Sequence, residues 1–211
     1  MLPGLFDCRD CPRLVQYRES VKPLPRFAGE TYWRRPVPPW GEPGGVMIVG
    51  LAPAAHGGNR TGRMFTGDRS AEFLFKALHA AGLSNNPFSV SRNDGTRLRC
   101  AYLTSAVKCA PPNNRPLPSE VRNCLRWLRI EVDEVRPKSI VVLGRLAAQA
   151  ISSVMGIRIE FKHGSYVDAG NVRVFISYHP SPRNTNTGRL SMEELIDILR
   201  KAGRWAGCDS I

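Results

Sequence analysis

Six cysteines, four histidines and one glycine-rich loop hold most of the reactive side chains in this chain. The loop reads GLAPAAHGGNRTGRMFTGD, residues 50–68. Gly57 and Gly62 have the glycine spacing of a Walker A motif. That motif continues with Lys and then Ser or Thr, because an ammonium must reach the terminal phosphates and a hydroxyl must reach Mg²⁺. Arg63 and Met64 stand there instead, which argues against a nucleotide triphosphate and its hydrolase. Among the cysteines, Cys8 and Cys11 form a Cys-x-x-Cys pair beside Pro12, while Cys109 and Cys124 are separated singles. A zinc ribbon needs a second Cys-x-x-Cys, and a thioredoxin-like site needs the pair between a strand and a helix. Cys8, Cys11, Cys109 and Cys124 together suit a four-thiolate iron–sulfur cluster; the alternative is buried cysteines acting as small hydrophobes. Cys100 and Cys208 are expected to be free thiols.

The elements that must position these residues alternate. GVMIVGL (45–51), CAYLTSAVKC (100–109), KSIVVLG (138–144) and NVRVFISYHP (171–180) read as strands, the apolar ones buried on both faces. SAEFLFKALHAAG (70–82) is predicted to be helical and to stop at Gly82. SEVRNCLRWLRIEVDEV (119–135) places Val121, Leu125, Leu128, Val132 and Val135 on one stripe, with Ser119 as its cap. A third helix runs through RLAAQAISSVM. SMEELIDILRKAG (191–203) opens with a Ser191/Glu194 capping box. The expected fold is a three-layer α/β/α domain of 211 residues with a mostly parallel central sheet. Residues 1–44, rich in proline, are read as an extended arm anchored by Tyr32, Trp33 and Trp40. Ligands bind at the carboxyl ends of strands in open α/β sheets. Four loops there, the glycine-rich loop, KCAPPNNRP, LGR and HPSPRNTNTGR, are expected to converge on one pocket.

Thirty Lys and Arg against eighteen Asp and Glu leave a net charge of +12. Many arginines lie in Gly/Asn/Ser/Thr-rich loops, which points to a polyanion, and so to nucleic acid, as partner. No apolar run approaches a membrane span, and the first residues lack the pattern of a signal peptide. The expectation is a cytoplasmic, prokaryotic protein, monomeric by default.

The motifs GLAPAAHGGNRTGRMFTGD, YLTSAVKCAPPNNRP and HPSPRNTNTGR, together with Cys8, Cys11, Cys109 and Cys124, resemble those of family 5 uracil-DNA glycosylases. They occur in that family's order between Cys8 and Leu190. Family 4 carries Glu where this chain has Leu51, and a uracil-reading Asn where it has Ser105; both departures favour family 5. The resemblance implies a monofunctional glycosylase that flips uracil, and other deaminated bases such as hypoxanthine, from double-stranded DNA, with a 4Fe-4S cluster as cofactor.

It also implies roles. Phe65 stacks on the flipped base, and His179 donates a hydrogen bond to a uracil carbonyl. Asn114 offers an amide donor and acceptor to the base edge, with Asn113 an equal alternative on sequence. Asp68 is the nearest acid to assist water, and doubles as a helix N-cap. His56 is the weaker candidate for positioning water; it and Ala55 are taken with the substrate-binding set. Arg60 and Arg63 are assigned to DNA phosphates, and Ser181, Arg183, Asn184 and Arg189 to the duplex. The rival reading is a noncatalytic iron–sulfur module that binds damaged DNA.

Overall fold

The computed structural model describes residues 2–208. In chain order the elements are α1 (Pro12–Ser20), β1 (Trp40–Gly41), β2 (Val46–Gly50), α2 (Gly58–Thr61), α3 (Arg69–Ala80), β3 (Ala101–Ser105), α4 (Pro118–Val135), β4 (Ser139–Leu143), α5 (Arg145–Met155), β5 (Tyr166–Ala169), β6 (Val172–Ser177), α6 (Pro182–Thr185) and α7 (Met192–Ala206). The sheet order is β1-β3-β2-β4-β6-β5. Its four inner strands are parallel, and the two edge strands are antiparallel.

The strand sequences dictate this layering. β2 and β4 are buried at every position, so both faces need cover. Val46 and Ile48 of β2 and Val141 and Leu143 of β4 enter the core under α3 and α7. Met47 and Val49, with Ile140 and Val142, enter the core under α4 and α5. The register pairs Met47 with Ile140 and Ile48 with Val141, so residues bound for the same face sit side by side. The three layers are those expected from the sequence.

The chain leaves β2 for β3 on one side and later returns to β4 on the other. That reversal opens a crevice beyond the carboxyl end of β2, where a ligand can lie between diverging loops.

Several details differ from expectation. The arm is not wholly extended: Pro12 starts α1, with Leu14, Val15 and Arg18 buried. Proline at the first turn loses no helical hydrogen bond. β3 stops at Ser105 and β6 at Ser177, because the chain then turns into the loops that line the crevice. The α4 cap is Leu117 rather than Ser119; the Glu120 carboxylate accepts the Leu117 N–H at 2.7 Å. The α4 stripe also buries Trp127, Glu120 and Glu131. Arg13 grips Glu120 with two hydrogen bonds, and Lys108 pairs with Glu131. The Ser191/Glu194 capping box forms as read.

Cys100 and Cys208 are not free thiols. Their Cα atoms are 5.9 Å apart and their sulfurs are bonded, tying the start of β3 to the residue just past α7. The linked positions are 108 residues apart, and closing so long a loop restricts the unfolded chain strongly. Cys208→Ser is expected to lower the unfolding free energy by about 2–5 kcal/mol. Thermal melts with and without reductant check this: reductant should lower the melting temperature of the wild type and leave that of the variant unchanged.

Candidate active site at the carboxyl edge of the sheet

The crevice holds a cavity of about 460 Å³ lined by three loops and the arm. The loop after β2 supplies Leu51, His56, Phe65 and Asp68. The loop after β3 supplies Asn114, and the loop after β6 supplies His179 and Ser181. The fourth expected loop, after β4, does not line it: Arg145 turns away over the Phe161 ring.

The glycine-rich loop is folded for close approach, not for a triphosphate. Gly57 to Gly62 encloses the single turn α2. A side chain at Gly57 would collide with the Asp68 carboxylate, and one at Gly50 would come within 2.5 Å of the Phe65 ring. Both side chains thus reach the cavity only because backbone without Cβ lies behind them. Phe65 has φ +49°, an uncommon left-handed conformation for an aromatic residue. Its ring sits 6.2 Å from the His179 ring, tilted by 30°, and forms an apolar wall of the cavity.

Asp68 forms the helix cap read for it and also lies in the cavity. Its Oδ1 accepts the Ala71 N–H at 2.9 Å and caps α3, and its side chain lines the cavity. Burial raises its pKa above the usual carboxylate value, against the opposing pull of backbone N–H groups and Arg60.

His179 is held by its main chain. Its carbonyl accepts the Asn184 side-chain amide and the Ser181 N–H, each at 2.8 Å. Among the described residues, nothing hydrogen-bonds its ring. Burial pushes its pKa down to about 4, so the ring is neutral at physiological pH with one N–H to donate. His56 is also shifted downward by burial, and its Nδ1 is paired with the Tyr32 hydroxyl at 2.9 Å. Asn113 and Asn114 are consecutive residues with positive φ, a conformation asparagine tolerates. Asn114 lines the cavity and Asn113 does not. The structure thereby separates two residues that spacing could not.

Other assignments change. Arg63 is buried and cannot reach a phosphate. It donates to Thr66, Ser89 and the Arg92 carbonyl, pairs with Asp94 at 2.7 Å and lies 4.5 Å over the Trp40 ring. Burial alone would raise the Asp94 pKa, but hydrogen bonds from Thr96, Arg63, Ser91 and Val90 hold it well below the usual range. Arg60 is committed to Glu30 and the His56 carbonyl, and stacks over Phe27. Asn184 turns its amide inward to His179. Ala55 stays outside the lining, where Ala54 and Pro53 stand. Arg183 and Arg189 are exposed. Sequence reasoning missed Arg26, Arg69 and Ser70 at the mouth. Arg69 was legible as the residue after the Asp68 cap; Arg26 comes from the arm, whose path no local pattern encodes.

The second assembly lies under the arm. Cys8, Cys11, Cys109 and Cys124 are unbridged and line one pocket with Leu5, Leu14, Val107 and Trp127. Among the described residues, no three His, Cys, Asp or Glu side chains are arranged to grip a single metal ion. Each sulfur meets an N–H donor: Arg18 to Cys109 at 2.9 Å, the Lys108 backbone to Cys124 at 3.3 Å, Asn123 to Cys11 at 3.6 Å and Arg126 to Cys8 at 3.6 Å. Burial pushes the Cys109 thiol up to about 11 and Cys124 up to about 12, so a bound metal, not the protein alone, would keep them as thiolates. Four cysteines lining one pocket, each with a donor to its sulfur, are a donor set that suits an iron–sulfur cluster.

This fold and cavity belong to a known class. Residues 41–202 match the family model described as the uracil DNA glycosylase superfamily, and the chain is a member of that family. Within it, the chain is 61% identical over 206 residues to the type-5 uracil-DNA glycosylase of Pyrobaculum aerophilum, covering 97% of this chain and 91% of that one. It is 49% identical to the type-5 enzyme of Thermus thermophilus, covering 96% and 95%. The type-4 enzyme of P. aerophilum is 34% identical, covering 80% and 83%. No helix among the described residues is long and apolar enough to cross a membrane.

Three measurements check the site's electrostatics. A histidine NMR titration should place the His179 midpoint near pH 4; a midpoint near the ordinary 6.5 would contradict its burial. Arg63→Met breaks a buried pair and is expected to cost about 3–5 kcal/mol of stability. Arg69→Ala, at the exposed mouth, should leave stability intact and reduce the slope of log K against log salt for duplex DNA by about 1.

Proposed function

We propose that this chain hydrolyses the bond between uracil N1 and deoxyribose C1′ in double-stranded DNA and leaves an abasic site. One observation carries the reading: a neutral His179 whose ring has no hydrogen-bond partner among the described residues, the Asp68 carboxylate and the Phe65 wall share a single cavity. The base leaves the stack at a cost of a few kcal/mol, repaid in part by stacking on Phe65. The Asn114 amide reads its edge. As the N1–C1′ bond breaks, its electron pair moves onto the base and positive charge grows on the sugar. His179 donates to the uracil carbonyl oxygen that gains charge, an interaction strongest in the transition state. Asp68 opposes the sugar's positive charge and accepts a proton from the water that attacks C1′. The water's oxygen ends on C1′, and the proton taken by Asp68 passes on through solvent to N1 of the uracil anion, which leaves the free base protonated and Asp68 ionised again.

Arg26 and Arg69 at the mouth, with the exposed Arg183 and Arg189, supply the phosphate contacts. The apolar Leu51 and the room beside it admit other deaminated bases, hypoxanthine among them. Cys8, Cys11, Cys109 and Cys124 hold a 4Fe-4S cluster, which when bound cross-links the arm, the Cys109 loop and α4. The enzyme acts as a monomer in the cytoplasm.

The test is single-turnover excision on a U·G duplex, with a uracil-free control and alkaline cleavage at abasic sites. Asp68→Asn should slow excision by about 10²–10⁴-fold, and His179→Ala by about 10²–10³-fold. Because burial raises the Asp68 pKa, its ionised form costs folding energy above that pKa. Asn keeps the cap without the charge, so the variant's melting temperature at neutral pH should not fall. Iron-replete protein that binds the duplex without excising uracil would favour the binding-module alternative.

A further inference from the structure

Arg18 is among the largest fully buried side chains, 2% exposed. A buried guanidinium is costly unless a nearby anion compensates it. Among the described residues the carboxylate paired with it is Glu19, at 3.8 Å, and Glu19 is itself exposed and held by two shorter hydrogen bonds from Arg9. Arg18 donates instead to the Cys109 sulfur at 2.9 Å and the Cys8 carbonyl at 3.2 Å, and its Nε has no partner. A protonated thiol is a weak acceptor and would leave the charge to that long pair alone. The other donors to the cysteines are unlike it. Arg126 is exposed and paired with Asp10, Asn123 is neutral, and the Lys108 donor is a backbone amide.

We propose that Arg18 is the buried counter-cation of the four-thiolate cluster, and that it positions the cluster relative to the catalytic loop. The inference rests on the cluster reading above. A four-thiolate cluster is a net anion, and nearby charge and N–H···S bonds set its potential. The same residue reaches the other way through its backbone. Its carbonyl accepts the side-chain amide of Asn59 at 3.2 Å, and Asn59 lies fully buried in α2 of the glycine-rich loop. The Asn59 carbonyl in turn accepts the Arg34 N–H of the arm. One residue thus joins the cysteine pocket to the loop that carries His56, Phe65 and Asp68.

The experiment compares anaerobically purified wild type with Arg18→Met, Arg18→Lys and Asn123→Ala. It reads iron and sulfide content, the rate of iron loss to a chelator, and the reduction potential. Removing a nearby cation disfavours the added electron, so Arg18→Met should shift the potential negative and lose iron at least tenfold faster. Arg18→Lys should keep a potential near that of the wild type while losing iron faster, and Asn123→Ala should shift the potential less than Arg18→Met. Wild-type potential and iron retention in Arg18→Met would overturn the role of Arg18. If Arg18→Met does not accumulate, Arg18→Lys decides, since a potential well below that of the wild type would overturn the charge account. Wild-type protein without iron and sulfide would instead sink the cluster reading beneath it.

Discussion

The site depends on the parallel pairing of β2 between β3 and β4. Because these strands run the same way, their carboxyl ends share one edge, and the chain reversal at β2 separates the loops that leave it. A base can enter there without disturbing the core. The same register sends alternate residues of β2 and β4 to opposite helical layers, so a one-residue slip would turn the buried faces over and misplace every loop at the edge.

Burial then decides what the cavity can do. It keeps His179 neutral and raises the Asp68 pKa, so a ring N–H without a hydrogen-bond partner among the described residues and a carboxylate face one space. The basic surface plays a different part. Arg60 and Arg63, assigned to phosphates on sequence, are committed to Glu30 and Asp94 within the fold, while Arg26 and Arg69 stand exposed at the cavity.

Much of this was legible from residue types. The unbroken apolar runs of β2 and β4 marked buried strands, the capping box marked the start of α7, and motif order marked the family. What escaped had physical causes. The disulfide depends on the distance between residues far apart in sequence, which no spacing encodes. Arg63 and Arg18 are long cations whose burial depends on partners from other segments, Asp94 in one case and Cys109 in the other. Glu120 and Glu131 occupy a helical stripe that an apolar pattern alone cannot assign. The choice of Asn114 over Asn113 turns on two successive residues with positive φ.

The most direct test of the central claim is the crystal structure of Asp68→Asn bound to a U·G duplex. The account requires the uracil outside the helix and in the crevice beyond β2, its face against Phe65, its edge toward Asn114 and a carbonyl oxygen at the His179 ring. A uracil left stacked in the duplex, or seated away from this cavity, would contradict it.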